Sequence, residues 1–334
     1  MPILFTNTAD GIAENTAPTT GNTGGASGTP CSSIDRDENS TILALAAAAI
    51  HGARGYRFGL SATGTGATRL RWPLAGSGRV VISSYVRVHT AITATEDLIA
   101  IRHATGHMGI LCVGNDGRFV VANAAGGQIT ASKSAGTVGP GLYYLQLAAR
   151  KGTGTTDGYL GVEIRDGDTG TLIHTWEASD VNAGTTDAVS CYVGRSTGRA
   201  VTHTLDYDTI TGSDDPGWIP PVSLAPTADA GPDQSGMEPY AIVSLSSASS
   251  STVIGTITGH AWTQISGPPI ILTGADTATP SFAAPCTMDG QPVTLQVTVT
   301  NSGGHSATDT VTVTPLPAVM AVRRGGAWAP LNET

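Results

Sequence analysis

Apolar residues recur at every second position in short runs along this chain, and almost nowhere at the spacing that a helix requires. In 68–74, Leu70, Trp72 and Leu74 share one face and Arg69 and Arg71 the other. In 79–88, Val80, Ile82, Val86 and Val88 line one face, opposite Arg79, Ser83, Tyr85 and Arg87. In 158–166, Leu160, Val162 and Ile164 oppose Tyr159, Glu163 and Arg165. In 188–195, Val189, Cys191 and Val193 oppose Ser190 and Tyr192. A strand sends successive side chains to opposite faces, so each run has one face for a core and one for solvent or a ligand.

Further strands are expected at 97–102, 108–113, 117–122, 127–132, 141–149, 170–176 and 201–211. Gly-Asn-Asp-Gly (114–117) and Asp-Gly-Asp-Thr-Gly (166–170) are turn signals between neighbouring strands. Strands this short, without intervening helical periods, point to a large antiparallel sandwich and not to βαβ units. The one helical suspect is Ser40–His51, where Ala46–Ala49 favour a helix by propensity and Gly52 ends it. Composition agrees: 43 of 334 residues are Gly, nearly twice the usual ~7%. Charged residues are 13%, about half the ~25% of an ordinary soluble domain. The net charge of −9 leaves little to neutralise phosphates, which argues against nucleic-acid binding.

From Pro226 to Pro315 the chain has no Lys or Arg at all. There it runs Ala-Asp-Ala-Gly-Pro-Asp-Gln (228–234), Val-Ser-Leu-Ser-Ser-Ala-Ser-Ser (243–250) and His-Ala-Trp-Thr-Gln-Ile-Ser-Gly-Pro (260–268). Gly-Ala-Asp-Thr-Ala-Thr-Pro-Ser-Phe-Ala-Ala-Pro (274–285), Val-Thr-Leu-Gln-Val-Thr-Val-Thr-Asn-Ser-Gly-Gly (293–304) and Asp-Thr-Val-Thr-Val-Thr (309–314) follow. This segment resembles the PKD-like domains of adhesive surface proteins and phage virion proteins. The resemblance implies an immunoglobulin-like sandwich that buries Trp262 and acts as a spacer or adhesion module. The family usually has Asp where this chain has Asn301, which puts any metal or turn role there in question.

The region before it carries Asn-Thr-Gly-Gly-Ala-Ser-Gly (22–28), Ala-Ile-His-Gly-Ala-Arg-Gly-Tyr-Arg-Phe (49–58) and Tyr-Tyr-Leu-Gln-Leu-Ala-Ala-Arg (143–150). It closes on Gly-Tyr-Leu-Gly-Val-Glu-Ile-Arg (158–165), Leu-Asp-Tyr-Asp-Thr-Ile (205–210) and Pro-Gly-Trp-Ile-Pro-Pro (216–221). Together these resemble the concanavalin-A-like (laminin-G-like) jelly rolls of minor tail proteins from phages of actinobacteria. The expected fold is therefore all-β. An antiparallel jelly-roll sandwich spans 1–222, a smaller Ig/PKD-type sandwich 226–315, and a C-terminal arm 316–334. Trp218–Pro226, with Pro220, Pro221 and Pro226, reads as a stiff linker, and Trp218 as a plug at the domain junction.

The Glu-x-Asp-x-Glu spacing of jelly-roll glucanases is absent. Glu163 shares a face with Arg165, which would lower its pKa and make it a poor general acid. Asp206 and Asp208 read as strand-end polar residues or a structural calcium position. His103 and His107 have a metal spacing only on a helix, and Gly106 between them indicates a loop. No P-loop, nucleophile elbow or dinucleotide fingerprint occurs, and Gly24–Gly28 reads as a turn. No cofactor, no metal and no enzymatic activity are expected. Aromatics on polar strand faces are the sugar-platform candidates: Tyr85 with Arg87, Tyr159 with Glu163, and Tyr192. Trp72 reads as core. Cys112 and Cys191 read as buried thiols, with a disulfide between them left open.

The resemblance implies a non-enzymatic virion protein, a siphophage minor tail protein that helps to recognise host-envelope glycan. Its partners would be other tail proteins and a host glycan, with Arg323, Arg324 and Trp328 docking the arm, and homo-oligomers are compatible with it. The N-terminus lacks a basic, apolar leader and no run is long enough to span a membrane. That fits synthesis in the host cytoplasm and a place in the virion tail. A secreted carbohydrate-binding module or adhesin is the alternative, and a jelly-roll glycan hydrolase a second.

Overall fold

The computed structural model describes residues 3–330 apart from 8, 10–11, 14, 21–30, 37–38, 51–54, 64–65, 77, 197–201, 215–216, 223–224, 253–255, 303, 319–320 and 325–326. The Gly24–Gly28 turn, His51 and Gly52 lie outside the described residues. The chain divides into two compact units, Met1–Val222 and Ser223–Thr334.

Unit 1 is built from β1 (Ile3–Asn7), β2 (Ser33–Asp35), β3 (Thr41–Leu45), β4 (Gly55–Leu60), β5 (Thr68–Gly76), β6 (Val80–Val88) and β7 (Glu96–His103). It continues with β8 (Gly106–Val113), β9 (Phe119–Asn123), β10 (Gly141–Arg150), β11 (Gly158–Asp166), β12 (Leu172–Val181), β13 (Ala188–Arg195) and β14 (His203–Ser213). Eight strands form one sheet in the order β12-β11-β10-β6-β14-β4-β3, with β1 paired to β14. Six form the other, β2-β5-β13-β7-β8-β9. Every pairing in both sheets is antiparallel, and neighbours such as β6–β14 and β5–β13 are far apart in sequence, as a jelly roll requires. The alternation explains the layering. Leu70, Trp72, Val80, Ile82, Leu160, Val162 and Ile164 all point into one buried core between the sheets. Phe58 and Tyr207 meet there edge-on, with ring centroids 4.8 Å apart. Each such side chain contributes roughly 1.5–3 kcal/mol by leaving water.

Three local expectations are corrected. Residues 41–45 form a strand and only Ala46–Ala48 make a 3-10 turn, because Ile42 and Ala44 are drawn into the core by pairing with β4. The expected strand at 127–132 is a loop with a 3-10 turn at Thr130–Ser132, tied down by Ser132 Oγ donating to the Ile129 carbonyl. Val189 is 43% exposed, since the β5–β13 register shifts between Ala188 and Ser190 and breaks the alternation there. Cys191 belongs to the main core, whereas Cys112 lies in a small cluster with Tyr192 on the opposite face of the same sheet. The sheet separates the two thiols, and all four cysteines are free.

Unit 2 contains β15 (Gln234–Met237), β16 (Ile242–Ser244), β17 (Ile257–Ser266), β18 (Ser281–Ala283), β19 (Val293–Asn301) and β20 (Ser306–Pro315). A four-stranded sheet β15-β20-β19-β17 faces the two-stranded β16-β18 pair. Trp262, Phe282, Leu295, Val297 and Val311 fill the space between. Trp262 is buried and donates through Nε1 to the Thr277 carbonyl at 3.2 Å. Asn301 has a turn role after all: its Oδ1 accepts the His305 amide at 3.0 Å, and its Nδ2 donates to Thr252 Oγ1 at 3.1 Å. Beyond it, β21 (Ala321–Arg324) and β22 (Ala327–Pro330) pair as a hairpin, with Arg323 opposite Trp328.

Candidate functional site

The outer face of the eight-stranded sheet holds most of the sequence-derived candidates, and it is covered. The segment after β14 crosses it as a strap. Tyr85 Oη donates to the Val222 carbonyl at 3.3 Å and Tyr144 Oη to the Ile219 carbonyl at 3.0 Å. The Ile219 amide donates to Gln146 Oε1 at 2.8 Å. Burial raises the pKa of both Tyr85 and Tyr144. Trp218 is part of this strap: its Nε1 donates to Glu177 Oε1 at 3.1 Å, and Arg79 stacks 4.6 Å from its ring. Arg79 also lies 5.1 Å from the Tyr159 ring and donates to its hydroxyl at 3.1 Å. Glu163 is buried and accepts from Gln146 Nε2 at 3.0 Å and Arg165 Nε at 2.8 Å. Tyr85 and Glu163 are thus buried and committed to internal contacts, while the half-buried Tyr159 is engaged by Arg79. Arg87 is half-buried beside them, opposite Asp206 on β14.

Asp206 and Asp208 are fully buried and serve structure. Asp206 takes Arg57 Nε at 2.7 Å and Nη2 at 2.8 Å, and contacts His89 Nε2 at 2.7 Å. Its hydrogen bond, offset by burial, raises the Arg57 pKa. Asp208 accepts the Ile50 amide at 2.8 Å and its neighbour Thr209's at 2.7 Å. No group of three or more metal-binding side chains occurs among the described residues.

The outer face of the six-stranded sheet is different. Strand register aligns Ser33, Arg71, Tyr192, Ala100 and Ile110 across five neighbouring strands. One step along, Ser190, Arg102 and His107 form a second row. Tyr192 is fully buried in this face. Its hydroxyl meets His107 Nε2 at 3.0 Å, and the Arg69 guanidinium sits over its ring at 4.8 Å. Arg69 Nε donates to Asp35 Oδ2 at 2.6 Å, and Arg71 Nη2 reaches the same oxygen at 3.4 Å. The Arg71 and Asp35 side chains are about a third exposed, at 27% and 36%. Arg102 Nε donates to the Gly106 carbonyl at 3.5 Å.

The charges on this face act on one another. Burial, then the nearby Arg69 and Arg71, lower the Arg102 pKa. Burial and Arg102 together hold His107 down at about 4, so its ring is neutral at pH 7. Burial, reinforced by Asp97, raises the Tyr192 phenol. Such a face can neutralise an anion through guanidinium forks, behind which the neutral His107 imidazole and the buried Tyr192 phenol hold each other in place. Tyr192 is the one sequence candidate found here. Arg69, Arg71, Arg102 and His107 were missed, although all of them could be collected from outward-facing positions once β5, β13, β7 and β8 are set side by side.

Among known proteins, the sequence model of the PKD domain family matches residues 230–314. Unit 2 therefore carries a PKD domain within an all-β, two-sandwich chain. No curated protein sequence is similar enough to count as a match. Solved structures with similar folds include endo-β-1,4-glucuronan lyase from the fungus Trichoderma reesei, 12% identical, with 64% of this chain and 96% of that one covered at a TM-score of 0.44. The binding domain of botulinum neurotoxin DC is 9% identical over 98% of this chain and 84% of that one, at 0.41. The PKD domain of the KIAA 1837 protein is 19% identical over 30% of this chain and 96% of that one, at 0.26.

Proposed function

We propose that this chain is a non-enzymatic glycan-recognition protein of a phage tail, a minor tail protein whose first unit contacts host-envelope glycan. The observation that supports recognition is the partly exposed polar face of β5, β13, β7 and β8, where Arg71, Arg102, His107 and Tyr192 converge. The tail assignment rests on the order of sequence motifs in 22–221 together with the PKD domain at 230–314. In this reading unit 2 is a spacer, and the β21–β22 hairpin, with Arg323, Arg324 and Trp328, docks onto other tail proteins. Many copies on one particle would add weak contacts into avidity. The carboxylates Glu163 and Asp206 are engaged in internal ion pairs with Arg165 and Arg57.

Gold-labelled antibody against residues 1–222, applied to purified virions and viewed by electron microscopy, tests the tail assignment. Label at the tail or tip is expected. Unlabelled particles, intact and disrupted, would refute it and leave a secreted binding module in its place. Incubation with cell-wall glycan is expected to release no product.

A further inference from the structure

We infer that the face around Tyr192 binds an acidic glycan through its carboxylates, held by Arg69, Arg71 and Arg102; this rests on the glycan reading above. Three guanidinium groups share this face, and Asp35 is the carboxylate that pairs with two of them, at 2.6 and 3.4 Å. Asp97, the other carboxylate nearby, is buried and accepts the amide and hydroxyl of Ser196. Positive charge is therefore in excess here, on a chain whose net charge is −9. A second observation sits in the same row. Arg71 Nε and Ser33 Oγ, side by side across the β2–β5 pairing, are buried without a hydrogen-bond partner. Buried polar groups left unmatched are rare and mark a place where a partner is missing.

The arrangement is also held in place. Arg69 lies between the Tyr192 ring and Asp35, and Tyr192 is anchored at its hydroxyl by His107. A guanidinium fixed in this way meets a planar carboxylate through two parallel hydrogen bonds without losing much side-chain freedom. Neutral His107 holds Tyr192 without repelling the cations. Burial and, after it, repulsion from Arg69 and Arg71 lower the Arg102 pKa, and an anion bound here relieves that repulsion.

The test measures binding of the full-length protein to immobilised polygalacturonate, neutral dextran and purified teichoic acid, at low and high salt. Polygalacturonate is expected to bind, and to bind less as salt rises. Arg71→Gln and Arg102→Gln should each weaken it about tenfold, the scale of one lost charge-assisted hydrogen bond. Arg150→Gln, an exposed arginine elsewhere in unit 1, should leave it unchanged, and unaltered melting curves establish that the variants fold. Arg71→Lys, which keeps the charge but loses the fork, should recover only part of the affinity. Binding to polygalacturonate that ignores both substitutions would overturn the site. Equal, arginine-dependent binding of teichoic acid would overturn the carboxylate in favour of any anion. Binding to dextran with none to polygalacturonate would sink the acidic ligand but keep glycan recognition. Binding to no glycan at all would remove both.

Discussion

Replacing Glu96 with Gln removes one charge from an ion pair at the end of the unit 1 sandwich. Glu96 opens β7 and Arg195 closes β13, and both side chains are fully buried. Arg195 Nε donates to Glu96 Oε1 at 2.9 Å, Nη2 donates to the other carboxylate oxygen, and Nη1 donates to the Ser61 carbonyl at 2.7 Å. A side-chain amide in place of the carboxylate could keep one of these contacts, but the buried guanidinium would lose the charge of this partner. Breaking such a pair costs about 3–5 kcal/mol, whereas replacing both partners with apolar residues of similar size is often neutral. For a domain of this size each kcal/mol lowers the melting temperature by about 2–4 °C. The unit 1 transition of Glu96→Gln should therefore fall by roughly 6–20 °C in calorimetry, with the unit 2 transition unmoved as an internal reference. The Glu96→Leu, Arg195→Met double variant should lose less than the single one. A single-variant loss below about 1 kcal/mol, or a double variant no better than the single, would refute the argument that uncompensated charge is the cost.

Acid should weaken unit 1. His107 titrates at about 4 in the folded chain, and burial together with Arg195 lowers His203. Both are protonated more readily when unfolded, near the usual value of 6.5, so stability falls as pH drops from about 7 towards 4. His107 is only half-buried, so solvent screening leaves about 1 kcal/mol of this to it. His107→Gln should flatten the urea midpoint between pH 7 and 4.5 by that amount, and an unchanged pH slope would contradict the assignment. Trp262→Ala in the small unit 2 core should cost about 3–5 kcal/mol and lower only the unit 2 transition. In native protein a thiol reagent should label exposed Cys286 quickly, with Cys31, Cys112 and Cys191 reacting only after denaturant is added. Burial raises the Cys191 thiol well above its ordinary pKa, which further slows it. Fewer than four reactive thiols in the chain denatured without reductant would reveal a disulfide.

Much of the architecture was legible in the sequence because alternation and turn chemistry are local. Leu70, Trp72, Val80, Ile82 and Leu160 face the core as their spacing requires, and Trp262 is buried where the PKD resemblance implies. Local reading failed where a neighbour outweighed propensity. Pairing with β4 took the residues before Ala46 into a strand and left only a 3-10 turn at Ala46–Ala48.

The candidate site was less legible, for a physical reason. Alternation tells which residues turn away from the core, but not which outward face another segment covers. Tyr85, Tyr159 and Tyr192 looked equivalent in sequence. Val222, more than a hundred residues after Tyr85, closes over it, and Arg79 and Trp218 enclose Tyr159. Tyr192 instead lies among arginines from two other strands and a histidine whose spacing from His103 reflects a hairpin. Residue order was enough for the strand faces, the turns and the second unit's family. Which polar face kept partly exposed arginines, and which charges met upon it, depended on contacts between distant segments that only the folded chain brings together.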